Sequence, residues 1–191
     1  MRTTSLLTLS LTSSLAFSQV IWDESINGDL SNDRLSPTNL QLALGSNTLT
    51  ATSQQGDREY VHFHLGSGMT LNHIVLKSWQ GTDQIGFIAV QTGSIFTEPP
   101  TGTNVANLLG YTHIGPGAGN LGSDFLPEMG QGSGAIGFTP PLTGEDYAFW
   151  IQQTGPSPVT YQLDFQVLPE PATLTVLSAG LAVLARKRRL R

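Results

Sequence analysis

The chain has 191 residues, a formal net charge of −5 and no cysteine. The absence of cysteine excludes disulfides, thiol catalysis and Cys-ligated zinc. Residues 19–168 contain 13 of the 14 acidic residues but only three basic ones (Arg34, Arg58 and Lys77), so this part repels phosphate backbones and we expect no nucleic-acid partner.

The first 18 residues have the three parts of a secretory signal peptide. Arg2 supplies the positive start, a leucine-rich segment follows, and Ala16 and Ser18 form the small-x-small pattern that signal peptidase recognises. We therefore predict residues 1–18 to be a signal peptide, cleaved before Gln19, and the protein to be exported. An ordinary N-terminal helix or strand is the alternative.

Residues 19–168 are predicted to form a single domain, long enough to bury a core. The segment from Trp22 to Asp33 is rich in carboxylate and amide oxygens, which calcium prefers, although the EF-hand spacing is absent. A solvated strand and turn is the alternative. We predict that the protein has no cofactor. Calcium is the candidate if a cofactor is present.

Alternation of apolar and polar residues recurs along the domain, with turn residues every 8–12 positions. Upstream strands are predicted at 39–44, 48–52, 59–65, 71–79 and 85–92. The single helical candidate is the short segment 103–109. This pattern indicates an all-β fold, namely one antiparallel β-sandwich.

His62 and His64 form the most suggestive pair of metal-ligating side chains. Residues two apart on a strand project from the same face, so their imidazoles could share a metal with His73, His113 or Asp57. Solvent-facing histidines on a strand are the alternative, and we predict no metal site there.

The segment 110–144 contains ten glycines, which are costly inside strands. We predict a long surface excursion with one short strand at 135–138. Loops of this length are often functional, and an inert loop is the alternative.

Two further strands are predicted at 147–152 and 161–167. The first is apolar on both faces and therefore central, whereas the second alternates with its odd-numbered residues facing inward. The turn residues 154–158 between them predict a hairpin.

No catalytic constellation is recognisable in the sequence. The Gly-x-Ser-x-Gly motif is absent, and nothing places any two of Glu98, Glu128, Glu145 and Asp146 across a cleft. We predict that the protein is not an enzyme, and a secreted hydrolase is the least favoured alternative.

The end of the chain combines a Pro-Glu-Pro triplet, an apolar segment and a basic cluster. Pro169, Glu170 and Pro171 precede the uncharged segment 172–185. The basic cluster comprises Arg186, Lys187, Arg188, Arg189 and Arg191. Fourteen uncharged residues are short for a bilayer span, but basic side chains can snorkel and mark the cytoplasmic end. We predict a short transmembrane helix with the domain outside.

This arrangement, over residues 169–191, resembles the PEP-CTERM sorting signal of Gram-negative and related bacteria. The resemblance implies recognition by an exosortase, a membrane cysteine protease-transpeptidase that cuts near the triplet. The released domain would pass to the cell surface or the extracellular matrix. An anchor that stays uncut is the alternative.

The domain itself loosely resembles bacterial pre-peptidase C-terminal-like β-sandwich modules. The segments that carry the resemblance are 47–49, 56–63 and 83–87, with Glu59 where an aspartate is expected. The resemblance implies a jelly-roll-like sandwich and assigns no catalytic residue.

Together these features predict an exported, exosortase-sorted protein with a structural or adhesive sandwich. Its expected partners are signal peptidase and exosortase during export, with a transient stay in the inner membrane. The alternative is a carbohydrate- or calcium-binding module, with an extracellular polysaccharide as the candidate partner. Trp22, Trp79 and Trp150 could stack on sugar rings, although core packing is expected for Trp79 and Trp150.

Overall fold

The computed structural model describes residues 17–170. The predicted signal-peptide residues through Ala16, Pro171 and the basic tail lie outside the described residues. The strands are β1 Ser18–Asp23, β2 Thr38–Asn39, β3 Gly45–Ser53, β4 Arg58–His64, β5 Met69–Gln80, β6 Gly86–Thr92, β7 Gly110–Ile114, β8 Leu142–Thr143, β9 Asp146–Gln153 and β10 Val159–Pro169. The helices are the one-turn segments α1 Glu24–Asn27 and α2 Leu126–Met129, and Val105–Asn107 and Pro116–Ala118 are 3-10 turns.

The strands form two five-stranded sheets, which confirms the predicted all-β sandwich. The first sheet has the order β1-β3-β10-β5-β8 and the second has the order β2-β4-β9-β6-β7. Strands β3 to β10 pair in a nested way, β3 with β10, β4 with β9, β5 with β8 and β6 with β7, as in a jelly roll. The sheets are mixed rather than wholly antiparallel, because β1 and β2 each pair in parallel with their neighbours β3 and β4.

The main core lies between the two sheets and follows from the alternation along the strands. The odd-numbered residues of β10 are buried as predicted: Tyr161, Leu163, Phe165 and Val167. They meet the inward residues of the second sheet, where Phe63 stacks on Phe149 with ring centroids 5.2 Å apart. Aromatic pairs at this distance contribute about 1 kcal/mol beyond the burial of their area.

A second apolar cluster covers the outer face of the second sheet. Strand β9 is central in that sheet, as its two apolar faces predicted, and Trp150 points outward from it. The segment 93–109 crosses this face and inserts Phe96, which is 0% exposed. Gln91 holds the segment, because its side chain accepts from the Thr97 backbone N–H (2.8 Å) and donates to the Asn107 carbonyl (2.9 Å).

The strand predicted at 39–44 is wrong beyond Asn39, because a buried side chain satisfies the backbone there. Asn47 accepts from the Ala43 N–H (2.8 Å) and donates to the Ala43 carbonyl (2.9 Å). It also donates to the carbonyl of Phe165 on β10 (3.0 Å). The segment therefore runs as a loop pinned to β3, and that strand begins at Gly45, three residues before the predicted start at 48.

The hairpin predicted between the last two strands is also wrong. Strand β9 lies in the second sheet between β4 and β6, whereas β10 lies in the first sheet between β3 and β5. The turn 154–158 thus crosses from one sheet to the other. Inward alternation is equally compatible with an adjacent strand and with a strand of the opposite sheet, so it could not distinguish these arrangements.

The glycine-rich segment is not the predicted surface excursion. Strand β7 pairs with β6, and Phe125, Leu126 and Met129 are fully buried in the main core. The short strand predicted at 135–138 is absent from the described structure, as is a full helix over 103–109. Glycine serves close packing here: a Cβ at Gly130 would overlap the carbonyl oxygen of Phe138.

Each end of the sandwich overlaps the predicted processing segment by about two residues. Ser18, the first residue of β1, pairs with Ser46 of β3. At the other end Pro169 pairs with Met69, and the Glu170 N–H donates to the Gly68 carbonyl (2.9 Å). Among residues 17–170 no helix has the length and apolar character that a membrane span needs. The predicted transmembrane segment 172–185 lies outside this range.

Candidate metal centre

Three carboxylates converge where β1 leads into α1 and β4 begins. Glu24 is in α1, Asp29 is in the loop after it, and Glu59 is near the start of β4. One carboxylate oxygen from each lies within 4.8 Å of the corresponding oxygen of the other two. Asp57 lies two residues before Glu59, and its charge contributes to the raised pKa of Glu24 and of Glu59.

A tight turn after β1 brings Glu24 and Asp29 together. The Asp23 carboxylate caps α1 by accepting from the Ser25 N–H (3.0 Å). Gly28 then ends the helix with a φ of +85°, in the left-handed region that glycine adopts without strain. The chain reverses at once, so Asp29 returns beside Glu24.

The Glu24 carboxylate links this turn to the first sheet. One oxygen accepts from the N–H of Leu30 (3.2 Å), and the other accepts from the N–H of Thr52 on β3 (2.6 Å). These bonds lower the pKa of Glu24, but desolvation by burial is the larger effect, so its pKa is raised overall. Glu24 therefore holds the loop against β3 and still faces the other carboxylates.

Glu59 is the unusual member of the cluster. It shares the inward face of β4 with Val61 and Phe63, and it is 0% exposed. Neither carboxylate oxygen has a hydrogen-bond partner among the described residues. Burial, followed by the charges of Glu24, Asp57 and Asp29, raises the pKa of Glu59 from 4.5 to about 10.

The surroundings of Glu59 contain a buried hydroxyl and lack a basic partner. The Tyr161 hydroxyl, on β10, has no hydrogen-bond partner within residues 17–170. Burial raises the pKa of Tyr161, and Glu59 is the charge that adds most to this rise. Every ion pair in the described part of the chain involves a histidine, so neither Lys nor Arg neutralises the cluster.

The sequence indicated part of this cluster. Glu24 and Asp29 belong to the oxygen-rich segment 22–33, on which the calcium alternative rests. In the sequence, Glu59 stands out only as a departure from an aspartate pattern. The signal that could have found it is a carboxylate at a core-facing position of an alternating strand, in register with Val61 and Phe63.

The histidine pair meets around a different carboxylate. His62 Nε2 lies 2.9 Å and His64 Nδ1 3.2 Å from the same oxygen, Oδ1 of Asp146. The hydrogen bond from His62 is the main reason why the pKa of Asp146 is lowered. Of the third ligands considered, His73 instead pairs with Asp124 (2.8 Å), His113 lies on β7, and Asp57 lies near the carboxylate cluster.

The tryptophans mostly serve local structure. The Trp22 indole N–H donates to the Gly28 carbonyl (3.0 Å) and the Trp79 N–H to the Asp83 carbonyl (2.7 Å). Trp150 lines a pocket of about 410 Å³ together with Phe87 and Leu108. Trp150 is only 3% exposed, so its indole offers little accessible surface on which a sugar ring could stack.

Comparison with known proteins finds no family model that matches the sequence and no significantly similar curated protein. The structural class of the protein therefore follows from its fold alone, which is an all-β sandwich of two mixed sheets. Its distinctive site is the carboxylate cluster around the buried Glu59.

Proposed function

We propose that this protein is exported and displayed at the cell surface or in the extracellular matrix as a non-catalytic structural sandwich. The observation that carries the proposal is the order of features along the chain. A signal-peptide pattern precedes the sandwich, and the Pro-Glu-Pro triplet, apolar segment and basic cluster follow it. In this view signal peptidase and an exosortase-type protease process the two ends.

The position of the triplet supports this reading. Strand β10 ends at Pro169, and Glu170 makes the last described backbone hydrogen bond to the sheet. Proline has no N–H to donate, so Pro169 adds no donor to the ladder at the end of β10. The triplet therefore begins at the last residue of the final strand of the sandwich and directly precedes the apolar segment.

Two of the four carboxylates weighed for catalysis, Glu98 and Asp146, make contacts within the fold, which is in keeping with a structural role. Glu98 accepts from the Asn104 N–H (2.8 Å) and from the Asn107 side chain (2.7 Å), and so fixes the segment over the outer face. Asp146 is shared by His62 and His64.

Intact mass spectrometry of the protein recovered outside the producing cells tests the proposal. We expect a chain that begins at Gln19 and ends near Pro169. Replacing all five basic residues of the tail by glutamine should abolish C-terminal trimming, because the segment 172–185 then lacks its cytoplasmic stop. Lys77→Gln, a cation of the sandwich itself, is the matched control and should leave processing unchanged.

Two results would overturn the proposal that the chain is exported and processed at both ends. One is an extracellular protein that keeps residues 1–18 and 172–191. The other is normal trimming and display after the tail cations are removed. Export with an untrimmed C-terminus in the wild-type chain would instead establish the uncut anchor and remove the exosortase step.

A further inference from the structure

The carboxylate cluster has the properties of a cation site. We propose that Glu24, Asp29 and Glu59 bind a calcium ion, with Asp57 at the edge of the site. The ion would tie the loop after β1 to the strands β3 and β4. This inference does not depend on how the ends of the chain are processed.

The burial of Glu59 distinguishes this cluster from an ordinary patch of acidic residues on the surface. Its carboxylate is 0% exposed and lacks any hydrogen-bond donor among the described residues, yet it lies against two other carboxylates. An isolated buried carboxylate costs several kcal/mol unless it is paired, hydrogen-bonded or bound to a metal. No basic side chain pairs with it in residues 17–170, so a metal ion is the partner that fits.

The buried hydroxyl of Tyr161 gives a second, separate indication of a cation site. Tyr161 comes from the opposite sheet, is 1% exposed, and has no hydrogen-bond partner for its hydroxyl among the described residues. Tyr161 pairs with Ala51 on β3, directly beside Thr52, whose N–H donates to the Glu24 carboxylate. Two unsatisfied polar groups, one from each sheet, therefore border the same site.

The ligand chemistry points to calcium rather than to a transition metal. All donors are carboxylate oxygens, and neither histidine nor cysteine takes part. Hard cations prefer such oxygens, whereas zinc and copper prefer nitrogen and sulfur. Two oxygens that each lie about 2.4 Å from one calcium ion are at most about 4.8 Å apart, and the three carboxylate oxygens meet this condition.

The arrangement also favours calcium over magnesium. Three carboxylates can offer up to six oxygens, in line with the six to eight that calcium takes, whereas magnesium usually keeps several waters and only one or two carboxylates. The ligands come from α1, a loop and a strand, so the site can adjust to the irregular geometry that calcium accepts.

Calorimetry and thermal melting of the full-length chain in mild detergent, stripped with EGTA, test the proposal. We expect calcium chloride to bind at one site and to raise the melting temperature. Magnesium chloride at the same concentration should give a clearly smaller rise. Asp29→Asn changes an exposed ligand, so the protein should fold normally and bind calcium at least tenfold more weakly.

Glu59→Gln keeps the shape of the buried side chain and should remove measurable calcium binding. Glu145→Gln, an exposed carboxylate outside the cluster, is the matched control and should bind calcium like the wild type. Circular dichroism verifies that each variant is folded. The proposal is overturned if the wild-type chain binds no calcium at millimolar concentration, or if Asp29→Asn binds calcium as tightly as the wild type. It is also overturned if magnesium raises the melting temperature of the wild-type chain as much as calcium does.

Discussion

At the residue scale, Asn47 shows how one buried amide organises a whole segment. It is 0% exposed and bonds to the backbone of Ala43, Gly45 and Phe165, and its oxygen also accepts from Gln19 (2.6 Å). The loop before β3, the edge strand β1 and the central strand β10 are therefore all anchored on one side chain.

Asn47→Ala should lower the free energy of unfolding by about 2 kcal/mol, because four hydrogen bonds between this side chain and the backbone, one of them buried, are lost. Chemical denaturation measures the change. Asn39→Ala, at an exposed position, is the control and should change stability by less than about 0.5 kcal/mol. Equal effects of the two substitutions would contradict the anchoring role.

Glu59 predicts an unusual pH dependence of the metal-free protein. Its pKa is raised from 4.5 to about 10, so the folded state holds the proton more tightly than the unfolded state. The contribution of protonated Glu59 to the free energy of unfolding is therefore fully present below pH 4.5. It is lost as the pH rises towards 10, by at most about 1.4 kcal/mol per pH unit.

Denaturation in EGTA between pH 5 and 9 should therefore show this decline in the wild type and a flatter profile in Glu59→Gln, since glutamine does not titrate. Glu145→Gln should retain the wild-type slope. Parallel profiles for the wild type and Glu59→Gln would show that the Glu59 carboxyl does not titrate as the structure requires.

At the scale of elements, the segment 93–109 acts as a cover for the second sheet. Phe96 lies 5.9 Å from the ring of Tyr60 and 5.7 Å from the ring of Trp150, centroid to centroid. Without this cover, the outer face of β9 would expose an apolar surface to water, which is costly.

Phe96→Ala should lower the free energy of unfolding by about 3 kcal/mol and shift tryptophan emission to longer wavelength, because Trp150 becomes solvated. Ile95→Ala, at the neighbouring position, removes a side chain that is already 38% exposed and should have little effect. Comparable losses for both substitutions would mean that the segment does not insert Phe96 into the cluster.

At the scale of the whole molecule, the junction between sandwich and tail limits access to the Pro-Glu-Pro triplet. Pro169 is still paired with Met69, and Glu170 is bonded to Gly68. Under the proposed function, a processing protease must loosen these last contacts of β10 before it can bind the triplet.

Inserting a flexible Gly-Ser linker of four residues between Leu168 and Pro169 should therefore speed C-terminal processing, measured by pulse labelling and mass analysis. The same insertion in the turn 154–158, far along the chain from the triplet, is the control and should leave the rate unchanged. Slower or equal processing with the linker at 168 would indicate that the folded junction does not hinder the protease.

Local pattern predicted the strands β4, β5, β6, β9 and β10 well, because each is bounded by turn residues and alternates in hydrophobicity. It failed in 110–144, where glycines that allow close backbone packing look the same in sequence as glycines of an open loop. It also failed at 39–44, where Asn47 satisfies a backbone that would otherwise have paired as a strand.

The amino-acid order alone determined which residues face inward, excluded cysteine chemistry, and predicted export from the patterns at the two ends. Only the tertiary structure decided which sheet each strand joins and which carboxylates meet. The physical reason is that periodicity defines the face of a strand and not its neighbours. Glu59 reaches Glu24 and Asp29 through long-range pairing of strands, which no local pattern of residues encodes.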